Sequence, residues 1–185
     1  MSGDTVDAAC YNQAEKFGPK YSMHISRLLA TLAILTAVCA TAAELDDAED
    51  LLNEGNTAEA LERVEALIES RPDDVGARFL KGVILTEQNK PEEAIEVFAA
   101  LTDDHPELAE PYNNLAVLYA GRGDYERARA ALQTAIRNNP RYATAYENLG
   151  DLYSQLAREA YGKAAELDNG EGTAQSKRET LKQMF

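Results

Sequence analysis

Pro72, Pro106 and Pro140 recur at one equal interval, and three further columns keep the same spacing. They are Ala60, Ala94 and Ala128; Ala48, Gly82, Ala116 and Gly150; and Val64, Phe98 and Leu132. A fixed period of this length means stacked copies of one small supersecondary unit, none of which can bury its apolar face alone. The third copy shows what the unit is. Tyr112, Leu115, Ala116 and Tyr119 share one face at helical spacing. Gly123-Asp124 breaks that helix and makes a turn. Ala128, Leu132 and Ala135 form the inner face of a second helix, and Pro140 ends it. In the second copy the turn is Asn89-Lys90-Pro91, with Pro91 placed to open the next helix. Small residues in the Ala116 and Ala128 columns let the two helices of a pair approach closely.

These residues resemble the tetratricopeptide repeat (TPR) family, whose pattern is W-x2-L-G-x2-Y…A-x3-F…P, with a period that this chain's columns share. The clearest match is Tyr112-x2-Leu115-Ala116-x2-Tyr119…Ala128-x3-Leu132…Pro140. Tyr146-x2-Leu149-Gly150-x2-Tyr153 matches the first half, and Gly82-x2-Leu85…Ala94-x3-Phe98…Pro106 matches with Arg78 and Lys81 in place of apolar residues. The first copy keeps Ala48, Leu51, Gly55, Ala60, Val64 and Pro72. The resemblance implies an all-α fold, a right-handed TPR superhelix (an α-solenoid) of about three and a half helix-turn-helix repeats with a C-terminal capping helix. The repeats fall at about 41–74, 75–108, 109–142 and 143–169, and the array occupies 44–169. In the first copy Glu44 and Asp47 replace aromatic residues, as expected of a terminal repeat with no neighbour on one side.

The fourth copy departs from the pattern. After Tyr153 no Gly or Pro appears until Gly162, and apolar positions run on through Ala145, Leu149, Leu152, Tyr153, Leu156, Ala160, Ala164 and Leu167. That spacing fits one continuous helix. A tight turn near Ser154, followed by a shortened second helix carrying Tyr161 and Ala164, is the alternative. Asn169-Gly170-Glu171-Gly172 ends the segment, and 170–185 reads as a linker and capping helix with Leu181, Met184 and Phe185 on its apolar face.

Upstream of the array, Leu28–Ala43 is an apolar run without a charged residue, preceded by Arg27 and closed by Ala40-Thr41-Ala42-Ala43. It is short for a membrane span, which needs about 20 residues. A charged start, an apolar middle and a small-residue end are the three parts of a secretory signal, here 23–43. Met23 is then the expected start, 1–22 an extension absent from the mature protein, and the periplasm the expected location. An inner-membrane-anchored form that keeps the segment is the alternative. Both cysteines, Cys10 and Cys39, lie upstream of Glu44, so the mature chain can form no disulfide and offers no thiolate.

Enzyme chemistry is poorly supplied, and the expectation is no enzyme, no cofactor and no metal. The one histidine after Glu44 is His105, in Asp103-Asp104-His105-Pro106, which reads as an inter-repeat loop. No Gly-rich phosphate loop, H-E-x-x-H or G-x-S-x-G occurs. The net charge of −14 disfavours nucleic acid, whose phosphates need Lys and Arg to replace their counterions. The charge is also polarised. Residues 44–110 hold 20 acidic and 5 basic side chains, and residues 111–185 hold 9 and 10. A solvated surface, steering of a basic partner and head-to-tail self-association all fit that asymmetry.

What the resemblance implies about function is binding. In this family the concave face is lined by the first helix of each repeat, which by position gives Phe79, Val83, Glu87, Asn113, Asn114, Val117, Glu147, Asn148 and Asp151 as the peptide or partner groove. Asn114 and Asn148 repeat on one face and resemble an asparagine ladder that could pair with an extended peptide. Packing or capping would equally account for them. The carboxylate clamp of chaperone-binding relatives is lacking, because Val117 and Asn113 stand where it would need Asn and Lys. The expected function is a non-enzymatic exported scaffold for an unidentified peptide or protein, with cell-envelope assembly as the role the resemblance suggests. A membrane-anchored adaptor, or a subunit positioning a separate enzyme, is the alternative.

Overall fold

The computed structural model describes residues 44–169 and 172–184. The extension at 1–22 and the signal expected at 23–43 lie outside them. The chain divides into two units, Met1–Asp47 and Ala48–Phe185. Of the first, only residues 44–47 are described, and they are helical. The second is all-helical among its described residues. It contains α1 (residues 48–53), α2 (Thr57–Ser70), α3 (Val75–Glu87), α4 (Pro91–Asp104), α5 (Glu110–Gly121), α6 (Tyr125–Asn138), α7 (Ala143–Leu167) and α8 (Ala174–Met184). Successive helices from α2 to α8 pack against one another.

The repeat period is written into the turns. Gly55, Asn89 and Gly123 occupy one column of the repeat and have positive φ of 82°, 56° and 75°. That left-handed conformation ends a helix at low cost only for Gly or Asn. At each one the next residue's N–H returns to a carbonyl in the last turn: Asn56 to Leu51, Lys90 to Leu85 and Asp124 to Tyr119, all at 2.9 Å. This is the Schellman arrangement. In the fourth copy the same position is Ala157, a strong helix former. Nothing there favours a left-handed residue, so α7 continues for 25 residues and ends only at Asn169, whose φ is 55°. Asp74 and Asp124 cap the starts of α3 and α6 by accepting hydrogen bonds from the backbone of Ala77 and Arg127.

The core repeats as the turns do. Ala60, Ala94 and Ala128 are fully buried, as are Val64, Phe98 and Leu132 four residues on, and Leu67, Leu101 and Ala135 after them are buried too. The facing columns Ala77, Pro111 and Ala145, and Ile84, Leu118 and Leu152, are also buried. At Gly82 the helices meet without clearance. A Cβ placed there would lie 2.6 Å from Phe98 Cζ, so the ring rests on the glycine backbone. Arg78 and Lys81, which break the apolar pattern of the second copy, make ties between helices. Arg78 pairs with Asp104 at 2.6 Å and Lys81 with Glu65 at 2.7 Å. The carboxylates are about half exposed, so each tie is worth less than about 1 kcal/mol.

Candidate partner-binding groove

The first helices of the third and fourth copies, α5 and α7, flank a depression of about 380 Å³. Its floor is apolar: Ala116 and Ala120 from α5, Leu132 from α6 and Leu152 from α7. Its rim is polar or amphipathic: Tyr125, Asn148, Asp151 and Gln155, with Val117 at the mouth. Leu132 occupies the column that Phe98 fills in the second copy, and Ala116 the column of Gly82. Gln155 Nε2 donates to the Tyr125 hydroxyl at 3.3 Å, which ties α7 to the start of α6 along one edge.

Of the nine positions expected to line the groove, Val117, Asn148 and Asp151 converge on this depression. Val117 is 48% exposed although apolar. Asn113 lies beneath the surface, the one buried polar residue among those described, and its Oδ1 accepts a hydrogen bond from Asn148 Nδ2 at 2.8 Å. Asn114 turns instead along its own helix and donates to the Glu110 carbonyl at 3.0 Å. The asparagine contact therefore runs from Asn148 to Asn113 rather than in step with Asn114. The cause is the stagger of neighbouring helices, which sets a residue of one copy opposite the position before its repeat equivalent. Phe79 packs edge-on against Phe98, with ring centroids 5.5 Å apart, and Val83 lies against the same core, so neither lines the depression. Glu87 and Glu147 are exposed and stand outside the depression.

Ala120, Tyr125 and Gln155 belong to the site, and the family pattern does not predict them. Ala120 and Gln155 lie one turn beyond the positions carried over from that pattern. Tyr125 is the first residue of a second helix, where the pattern places no groove residue. His105 faces Glu107 at 3.8 Å in the loop after α4. Among the described residues no group of three or more His, Cys, Asp or Glu side chains is placed to hold a metal ion. No helix among them is long and apolar enough to cross a membrane.

Two models of one family match the chain, both described as tetratricopeptide repeat, over residues 45–109 and 85–156. No curated protein matches it. Among solved structures, MamA protein is 24% identical with a TM-score of 0.56, over 76% of this chain and 80% of that one. YrrB, described as a TPR protein with an unusual peptide-binding site, is 29% identical with a TM-score of 0.51, over 54% of this chain and 52% of its own. The first TPR of Spaghetti (RPAP3), bound to the HSP90 peptide SRMEEVD, is 12% identical with a TM-score of 0.58, over 63% and 93%. The repeat columns, the left-handed turns that recur with them and the matched models agree: the chain belongs to the tetratricopeptide repeat family.

Proposed function

We propose that the protein is a non-catalytic scaffold that holds a segment of a partner protein in the depression between α5 and α7. The observation that carries this reading is the composition of that depression, an apolar floor within a rim of hydrogen-bonding side chains on an otherwise charged surface. An apolar side chain of the partner would fill the space over Ala116, Leu132 and Leu152. Its backbone N–H would meet the carboxamide oxygen of Asn148, whose Nδ2 is already engaged with Asn113. Asp151 at the rim favours a neutral or basic segment over an acidic one. The peptide named with Spaghetti and the peptide-binding site named for YrrB support the use of this fold for peptides. Nothing at the site provides a nucleophile beside a base, which is why the reading is binding and not catalysis.

The same reading places the protein in the periplasm, on the charged, apolar and small-residue sequence of 23–43. A role in cell-envelope assembly would follow from that location. Retention of the apolar run as an inner-membrane anchor is the second reading, because that run is only slightly shorter than a span. Fractionation with intact-mass analysis separates the two: a chain beginning near Glu44 in the periplasmic fraction is expected, and a full-length chain resisting alkaline extraction would favour the anchor. The groove is tested by a photo-reactive amino acid placed in living cells at Val117, with Arg129 on α6 as control. A discrete crosslinked partner from Val117 and none from Arg129 is expected. Equal crosslinking from both would contradict the groove.

A further inference from the structure

In the second and third copies the face of the first helix that carries Gly82 and Leu85, or Ala116 and Tyr119, is covered by the second helix of the pair. α7 has no such cover, because it runs on through Ala157. Its equivalent residues Gly150 and Tyr153, and Tyr146 one turn before them, lie in the open. Tyr146 is 50% and Tyr153 47% exposed, and a Cβ on Gly150 would meet nothing within 4 Å. α8 does not supply the cover. It packs on the distal half of α7, with Arg178 beside Gly162 and Lys177 over the Tyr161 ring.

The open face runs the whole length of the helix. Ala143, Tyr146, Gly150, Tyr153, Ala157, Ala160, Ala164 and Leu167 follow one another at alternating steps of three and four. All are exposed except Ala157, which is half-buried. Three of the four large apolar side chains most exposed among the described residues, Tyr146, Tyr153 and Leu167, fall on this line. Alternating steps of three and four along a helix of about 37 Å are the spacing of a coiled-coil seam. The line contains no charged residue.

The geometry points to a second copy of this chain as the occupant, with α7 of the two copies packed antiparallel about a two-fold axis level with Gln155. Side-chain size sets both the partner and the register. In this arrangement Leu167 of one copy meets Ala143 of the other, Tyr146 meets Ala164, and Tyr153 meets Ala157. Gly150 meets Ala160, where two small residues let the backbones come close. Every large side chain thus lies opposite a small one. Parallel pairing would set tyrosine on tyrosine and alanine on alanine. A two-fold contact of this kind closes at the dimer. Asn148 and Asp151 lie on other faces of α7, so the groove stays available.

Sedimentation equilibrium of the full chain tests the seam. The wild type should dimerise. Gly150→Lys and Ala160→Glu, at positions exposed in the single copy, should each weaken the dimer at least about tenfold by placing an unpaired charge in the seam, with helicity kept. The double variant Gly150→Lys/Ala160→Glu should regain most of the wild-type affinity, because each lysine then faces a glutamate of the other copy. A wild type that stays monomeric through the micromolar range overturns the proposal. So does association that neither single change weakens, or singles that weaken it with no recovery in the double.

Discussion

Asn148 donates a hydrogen bond from Nδ2 to Oδ1 of the buried Asn113, 2.8 Å away, and so joins the fourth repeat to the third at the edge of the depression between α5 and α7. The bond commits the Asn148 amide nitrogen to the contact between repeats. Removing one partner leaves the other unsatisfied in a partly buried setting, which costs about 1–3 kcal/mol. Asn113→Ala should lose that much in chemical unfolding. The cycle with Asn148→Ala should show a coupling of about 0.5–1.5 kcal/mol. Strictly additive losses would mean that the contact contributes nothing.

Gly82 and Gly150 occupy one repeat column yet should respond oppositely to alanine. At Gly82 the new methyl would be driven into the Phe98 ring, and overpacking of that kind costs about 1–3 kcal/mol. At Gly150 of the single copy there is open space in mid-helix, and at a concentration where the chain is monomeric alanine should stabilise by about 0.5–1 kcal/mol. Thermal unfolding of the two variants should shift in opposite directions. Equal shifts would mean that the fourth repeat carries a second helix over Gly150 as the others do.

Ala128 tests the register of the array from the other side of the pair. It is fully buried where α5 and α6 meet. Ala128→Leu should cost about 1–3 kcal/mol through overpacking. An unchanged melting temperature would contradict the column assignment.

Tyr142, just before α7, titrates above the ordinary tyrosine value, first because burial disfavours the phenolate and second because the Glu110 carboxylate repels it. The unfolded chain therefore gives up this proton before the folded one does. The stabilising contribution is complete below the unfolded value of about 10 and declines as pH rises through the folded value. The stability difference between wild type and Tyr142→Phe should shrink as pH rises above about 10. A difference that does not change with pH would show that the phenol is equally free to ionise in both states.

The repeat columns made the fold legible in the sequence, because Ala60, Ala94 and Ala128 cannot all be small at one interval unless helices meet there. The turn residues Gly55, Asn89 and Gly123 and the missing breaker near Ala157 likewise carry their structural meaning in their identities. The site is less legible. Periodicity aligns Asn114 with Asn148, but it carries no information about stagger between helices, and stagger decides that Asn113 is the residue reached. The column of Phe79 places it on the groove, yet its ring packs edge-on against Phe98 and does not line the depression. Tyr125 and Gln155 emerge only where α6 and α7 meet in three dimensions.

Whether the depression between α5 and α7 binds an extended segment of another protein is decided by one titration. A peptide selected from a random display library against the protein would be measured on wild type, Val117→Arg and Arg129→Ala. Val117→Arg, which places a long cation at the mouth of the depression, should weaken binding at least about tenfold, equivalent to about 1.4 kcal/mol. Helicity should stay unchanged, and Arg129→Ala should bind as the wild type does. Wild-type affinity in Val117→Arg would contradict binding at the depression.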